Sequence, residues 1–119
     1  MLFRSDSGSV IVLGADSTSI ATAVNRLQEL GGGAVIADGQ SILAEVPAPI
    51  AGIMSAEPLP TLVTQLRRLK TTLRELGCPW PDPLLAVDVL STAAIPHFRI
   101  TDRGYARVRD GSGAGLWAN

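Results

Sequence analysis

The spacing of apolar side chains predicts a strand followed by a helix near the start of the chain. Residues 9–13 (SVIVL) form a short β-branched run that is typical of a buried strand. Asp16 or Ser17 can then cap a helix, and apolar residues recur at helical spacing over residues 20–30. Residues 31–33 are all glycine, and glycine after a helix can adopt the positive φ that ends it. We therefore expect a helix near residues 17–30.

A turn signal separates two further apolar runs. Residues 34–37 (AVIA) and 41–46 (SILAEV) flank the dipeptide Asp38-Gly39. This dipeptide favours the two-residue turn of a β-hairpin, because that turn needs positive φ at its central positions. Pro47 then ends the pairing, because proline has no N–H to donate.

A leucine stripe predicts a second helix near residues 60–76. Leucines recur from Leu62 to Leu76 at alternating steps of four and three, and Gly77 follows in the C′ position. Pro58 and Pro60 fit the first turn of this helix. The stripe spans only about two heptads, so a helix lying across a sheet is favoured over a coiled coil.

The last third of the chain gives weaker signals. Residues 84–94 fit a strand or a helix, and Pro96 ends them. Residues 99–101 and 105–108 predict a small hairpin around Gly104. The fold expected from the whole pattern is an α+β, two-layer domain over residues 1–109. Its mixed sheet of about four or five strands packs against two main α-helices, and a flexible tail follows over residues 110–119.

Composition narrows the function classes. With 119 residues, the chain is too short for a (β/α)8 barrel, and with 4% aromatic residues its core is aliphatic. Ten basic and eleven acidic residues indicate no nucleic-acid partner. Neither a secretory signal nor an apolar run long enough for a membrane span is visible, so we expect a cytoplasmic protein without a membrane partner.

The residues that carry chemistry in other proteins are sparse here. His97 is the only histidine and Cys78 the only cysteine, and no histidine or cysteine pair has metal-ligand spacing. The glycines at 31–33 follow a helix, whereas the glycines of a phosphate loop precede one. The residues therefore predict no catalytic group, no metal ligand and no cofactor in this chain.

Several ordered motifs nevertheless resemble a known family. Residues 23–25 (AVN), 31–33 (GGG), 47–55 (PAPIAGIMS) and 95–104 (IPHFRITDRG) occur in the order seen in the C-terminal domain of bacterial adenine deaminases. Those enzymes belong to the amidohydrolase superfamily and convert adenine and water to hypoxanthine and ammonia. The resemblance implies a purine-metabolism hydrolase whose divalent metal, such as manganese or iron, lies in a barrel preceding this domain. The family also carries a His-Asp-Ser-His-Asn stretch, where residues 5–9 here read SDSGS.

Three hypotheses for function follow from this resemblance. The chain is a detached or truncated domain, inactive alone, that packs on a barrel chain or on itself. Alternatively, it completes a deaminase site in trans as a separate subunit, or it reuses the fold as a small-ligand module for purines. Whether the chain is an enzyme is left open by the sequence, as is its oligomeric state, with a homo-oligomer and a separate barrel subunit as the partners to consider.

The predicted ligand- or partner-facing edge is the segment 47–55 together with the residues that lead into the first strand. Residues 47–55 are apolar without a period, and two prolines stiffen them. Gly52 would let another backbone approach closely. The competing interpretation is that Ile50, Ile53 and Met54 fill the core beneath the second helix. The predicted site residues are Asp6, Ser7, Pro49, Gly52, Met54 and Ser55.

Overall fold

A four-stranded antiparallel sheet is the centre of the fold. The computed structural model describes residues 2–4, 10–89, 98–101, 104–107 and 113–114. The sheet has the strand order β2-β1-β3-β4, and a second sheet has the order β5-β6-β7. The strands are β1 (Leu2–Arg4), β2 (Val10–Val12), β3 (Gly33–Asp38), β4 (Ser41–Pro47), β5 (Phe98–Thr101), β6 (Gly104–Arg107) and β7 (Gly113–Ala114). The helices are α1 (Ser17–Leu30), α2 (Leu59–Glu75) and α3 (Pro83–Asp88).

The two long helices cover opposite faces of this sheet. Ala34 and Ile36 of β3 pack with Leu69 and Leu73 of α2, whereas Val35 packs with Ala23 and Leu27 of α1. The α+β class is confirmed. The described elements form three layers, α1, the sheet and α2, whereas two layers were expected. The physical reason lies in β3, where residues 33–36 are buried in succession, so both faces of the strand need cover.

The described strands pair only in the antiparallel sense, and the expected mixed sheet is therefore wrong in this detail. A two-residue turn joins β3 to β4, and such a turn permits only antiparallel neighbours. The short strand β1, which the apolar pattern does not reveal, pairs antiparallel with both β2 and β3.

A bulge in β4 adapts this strand to its two neighbours. Ile36 pairs with Ala44, whereas the next residue, Ala37, pairs with Ile42. Leu43 is therefore the extra residue of β4. Leu43 packs with the cluster on the α2 side, and Ile42 with the cluster on the α1 side. The bulge therefore brings an additional apolar side chain to the α2 face.

Local sequence signals predict the ends of the helices and the hairpins well. The Asp16 carboxylate caps α1 by accepting a 2.8 Å hydrogen bond from the Ser19 N–H, and Gly31 ends the helix at φ 73°. The hairpin of β3 and β4 is confirmed, but its turn lies one residue later than predicted. Asp38 is the last residue of β3 and pairs with Ser41, so that Gly39 and Gln40 form the turn, and only Gly39 has a positive φ. The hairpin of β5 and β6 is confirmed as well, although Gly104 is a residue of β6 that pairs with Thr101. Of the ambiguous run 84–94, the described part forms α3. Within the expected tail 110–119, the described residues 113–114 pair with β6.

One ion pair joins α1 to β4. The Arg26 guanidinium donates to both carboxylate oxygens of Glu45, with Nε at 2.8 Å from Oε2 and a terminal nitrogen at 2.9 Å from Oε1. This two-point hydrogen bond lowers the pKa of Glu45. A carboxylate whose pKa is lower in the folded chain than in the unfolded chain stabilises the fold. This stabilisation is complete at pH values above the pKa in the unfolded chain. It is lost as the pH falls through the pKa of the carboxylate in the folded chain.

A second constraint is the contact between two glycine backbones. The Gly33 N–H donates to the Gly52 carbonyl oxygen at 3.2 Å, and the Ala48 N–H donates to the Gly32 carbonyl oxygen at 3.1 Å. A Cβ on Gly32 would lie 2.6 Å from the Gly52 oxygen and closer still to its Cα. Gly32 also has φ +134°, which other residues rarely adopt. The glycines after α1 thus hold the connection from β4 to α2 against the sheet.

We predict a pH-dependent effect of Glu45→Gln. At pH 7 the variant should be less stable to urea unfolding by about 0.5–1 kcal/mol, as is usual for partly exposed ion pairs. The difference should shrink as the pH falls below the pKa of Glu45, because the wild-type carboxylate is then neutral as well. Glu29→Gln is the control, since Glu29 binds the same arginine from an exposed position and should change stability less. A difference that does not depend on pH contradicts this assignment.

We also predict that Gly32→Ala destabilises the chain by about 3 kcal/mol, because the added methyl group meets the Gly52 backbone and the φ is unfavourable. Gly39→Ala is the matched control. Gly39 likewise has a positive φ of +55°, but no atom lies within 4 Å of its added Cβ, so its loss should be about 1 kcal/mol. Urea unfolding of both variants measures the difference, and equal losses contradict the proposed backbone contact.

Candidate functional site

The connection between β4 and α2 presents three large apolar side chains to solvent. Ile50, Ile53 and Met54 are 48%, 47% and 53% exposed. The Ile50 and Met54 backbones close the loop on themselves, since each N–H donates to the other's carbonyl oxygen, at 3.2 Å and 3.0 Å. Ala51 and Gly52 turn the chain at φ 55° and 79°. A stiff, tightly hydrogen-bonded loop therefore carries these side chains.

The interpretation that these side chains fill the core beneath α2 is wrong. The core on that face consists of residues from β3, β4 and α2, and the partly buried residues packed against it do not include Ile50, Ile53 or Met54. These three neighbouring apolar side chains, each about half exposed, are available for contact with another protein surface.

The structure separates the predicted site residues. Pro49 is exposed and lies over Gly31, with 3.6 Å between its Cα and the position of a Cβ on that glycine. Gly52 is buried, and the close approach that it allows is to Gly32 of the same chain. Ser55 is half-buried, and its hydroxyl accepts a hydrogen bond from the Glu57 N–H at 3.2 Å. Asp6 and Ser7 lie outside the described residues.

A cavity of about 190 Å³ lies beside the loop, between the sheet, α2 and α3. Apolar residues and glycines form most of its described lining, and Ser55 supplies the polar side chain. The lining residues are Gly33, Ala34, Val46, Ala48, Gly52, Ile53, Ser55, Leu62, Leu66 and Leu84.

One hydrogen-bonded pair positions the α3 side of this cavity. The Lys70 ammonium on α2 donates to the Asp82 carboxylate at 3.1 Å, and the same carboxylate caps α3 by accepting from the Leu85 N–H. The Lys70 hydrogen bond lowers the pKa of Asp82, with a further contribution from the cap. The pair fixes the start of α3 and thereby places Leu84 at the cavity wall.

The loop and the cavity carry little charge. Residues 46–56 contain no ionisable side chain, and Glu57 is the next charged residue along the chain. Across the described ranges, no group of three or more histidine, cysteine, aspartate or glutamate side chains could hold a metal ion. None of the described helices is both long and apolar enough to cross a membrane.

Sequence reasoning identified the loop but missed how it is held. A helix end, which the run of three glycines predicts, accounts for Gly31 alone. Gly32 and Gly33 instead provide the surface on which the loop backbone rests. The cavity was also missed, although the small residues Ala34 and Ala48 opposite the leucine stripe are a signal for it.

Comparison with known proteins gives a consistent match. The family described as Adenine deaminase C-terminal domain matches residues 3–112. The chain is 44% identical to an adenine deaminase of Brucella melitensis over 103 residues, which are 87% of this chain and 18% of that protein. It is 46% identical to the adenine deaminase of Methylobacterium nodulans and 39% identical to that of Kosmotoga olearia, again over 87% of this chain and 18% of the relative.

No solved structure matches the chain. The chain spans about a fifth of the length of the curated relatives it matches, at 18% of each. The family match covers the described strands and helices except β7 and the first residue of β1. Because this match spans most of the chain, the chain belongs to the adenine deaminase C-terminal domain family.

Proposed function

We propose that this chain is the non-catalytic C-terminal domain of an adenine deaminase and acts by packing residues 47–55 against the portion that carries the deaminase centre. The observation that carries the proposal is the exposure of Ile50, Ile53 and Met54 on one stiff loop. The relatives named adenine deaminase extend far beyond the match, since the chain spans 18% of each. A covering surface for the loop is therefore available in such proteins.

The energy available from such packing is substantial. Burying a large aliphatic side chain completely contributes about 1.5–3 kcal/mol, and covering a half-exposed one contributes roughly half of this. Because hydrogen bonds within the loop already order its backbone, less conformational entropy is lost on docking than for a flexible segment.

The division of roles follows from the chemistry of the two parts. Hydrolysis of adenine to hypoxanthine and ammonia requires an activated water, which a divalent metal such as manganese or iron supplies in metal-dependent hydrolases. The described residues of this chain bring no such ligand set together. Its proposed contribution is to cover and stabilise the catalytic portion.

Purine binding by the domain itself is the alternative function. A purine site needs several placed polar groups to orient the ring, and Ser55 is the polar side chain that the described residues bring to the cavity. The lining of this cavity therefore favours an apolar side chain over a purine as its occupant. A melting temperature that rises with adenine or hypoxanthine would favour the alternative.

We predict that the purified chain alone releases no ammonia from adenine in the presence of Mn²⁺, Fe²⁺ or Zn²⁺. The control is the full-length Brucella melitensis relative, assayed in the same buffers. Ammonia release that increases with the concentration of this chain and disappears with a chelator would contradict the proposed division of roles.

We predict that Ile53→Asp separates folding from packing. In the free chain the aspartate is close to solvent, so the melting temperature should change little. In a chimera in which this chain replaces the matched region of the Brucella melitensis relative, the buried charge should lower both the melting temperature and deaminase activity.

Val24→Asp is the control for that experiment, because Val24 is a partly exposed valine on α1, at 36% exposure. It should leave the chimera's activity unchanged. Equal effects of the two substitutions, or unfolding of the free chain by Ile53→Asp, contradict a packing role for the loop. A dimer of the free chain that Ile53→Asp dissociates would instead assign the loop to self-association.

A further inference from the structure

We propose that the cavity beside the loop is an anchor site that receives one aliphatic or aromatic side chain of the catalytic portion. This inference rests on the proposed packing of residues 47–55 and adds the place where that packing is centred. Ile53 links the two features, because it is about half exposed on the loop and also lines the cavity.

The cavity walls come from the sheet, the connection after β4 and the helices α2 and α3. Leu62 and Leu66 contribute from α2 and Leu84 from α3, while Ala34 and Ala48 form the opposite side with short side chains. The chain cannot fill the space from Gly33, because a Cβ there would lie 2.9 Å from the Ala48 nitrogen and closer still to the Val46 oxygen. The short side chains of Ala34 and Ala48 therefore leave the space open.

The size and lining of the cavity define what fits. A cavity of roughly 150 Å³ with an aliphatic lining accepts a benzene ring, and this one measures about 190 Å³. Its described lining has no charged side chain. A leucine, methionine or phenylalanine side chain suits it, and a charged or strongly hydrated group does not.

The position of the cavity points to a protein side chain as its occupant. Protein interfaces commonly place a large apolar side chain in a well-packed pocket at their centre, surrounded by contacts that exclude water. Here Ile53 lies at the cavity, and Ile50 and Met54 extend the apolar surface along the same loop. In the relatives, the matched region makes up 18% of the chain, so the remaining length can supply the inserted side chain.

The test fills the cavity from within. Ala48→Leu places a larger side chain in the space, and Ala21→Leu makes the same change at an exposed position of α1 that does not line the cavity. Both are made in the free chain and in the chimera with the Brucella melitensis relative. The readouts are the melting temperature of the free chain, the deaminase activity of the chimera and the rate at which peroxide oxidises Met54.

Met54 oxidation reports docking without relying on activity. In the wild-type chimera, Met54 should be oxidised more slowly than in the free chain by about tenfold, since a docked partner covers it. Ala48→Leu should keep or raise the melting temperature of the free chain, yet restore most of the oxidation rate in the chimera and lower its activity. Ala21→Leu should leave both chimera readouts unchanged.

The outcomes separate the anchor site from the proposed function. If Met54 is oxidised equally in the free chain and the wild-type chimera, the proposed packing fails, and the anchor site fails with it. If Met54 is protected and Ala48→Leu leaves that protection intact, the anchor site is wrong while the packing stands. Should Ala48→Leu unfold the free chain, Leu66→Phe fills the same space from α2 and gives the same decision.

Binding of benzene to the free chain provides a test without any partner. Nuclear magnetic resonance should show saturable shifts in the methyl signals of Leu62, Leu66 and Leu84, and Ala48→Leu should abolish them. Ala21→Leu should preserve the shifts. Methyl signals that do not respond to benzene in the wild-type chain would overturn the claim that the cavity accepts an apolar group.

Discussion

The close approach of the Gly32 and Gly52 backbones is the constraint on which the candidate site depends. Two hydrogen bonds, from Gly33 to Gly52 and from Ala48 to Gly32, hold the connection between β4 and α2 against the end of β3. No side chain larger than hydrogen fits at Gly32 without displacing backbone. Because the buried side of the connection is occupied by backbone, its large side chains Ile50, Ile53 and Met54 remain partly outside. An apolar loop that would otherwise collapse into the core is thus kept at the surface.

The same close packing explains the cavity. β3 is buried on both faces, with α1 on one side and α2 on the other. On the α2 side, small residues at positions 33, 34 and 48 allow strand and loop backbones to approach, but they leave space below Leu62 and Leu66. Protein interiors are close-packed, and a void without partner atoms forgoes favourable contacts. A side chain from another part of an adenine deaminase would recover those contacts, which connects the shape of this domain to its proposed role.

Membership of the adenine deaminase C-terminal domain family connects the loop and the cavity to proteins much longer than this chain. The match covers residues 3–112, and the relatives extend far beyond it. A domain that contributes packing instead of reacting groups can still be required for activity, because a catalytic centre depends on the stability of the elements that hold it. The features on which the proposed role rests are an ordered loop, an apolar cavity beside it and the Lys70–Asp82 pair that positions one cavity wall.

The local elements of this protein follow from its amino-acid sequence. Each element follows from backbone and side-chain preferences over a few residues. The signals are the Asp16 cap, the glycine after α1, the Asp38-Gly39 dipeptide near the hairpin turn and the leucine stripe of α2. The family resemblance was also visible in the ordered motifs. The tertiary structure decided the rest: which face of the sheet each helix covers, that Gly32 meets Gly52 some twenty residues away, and that the loop's apolar side chains stay exposed. These depend on contacts between segments distant in sequence, and the pattern of residues within one segment does not specify its packing partner.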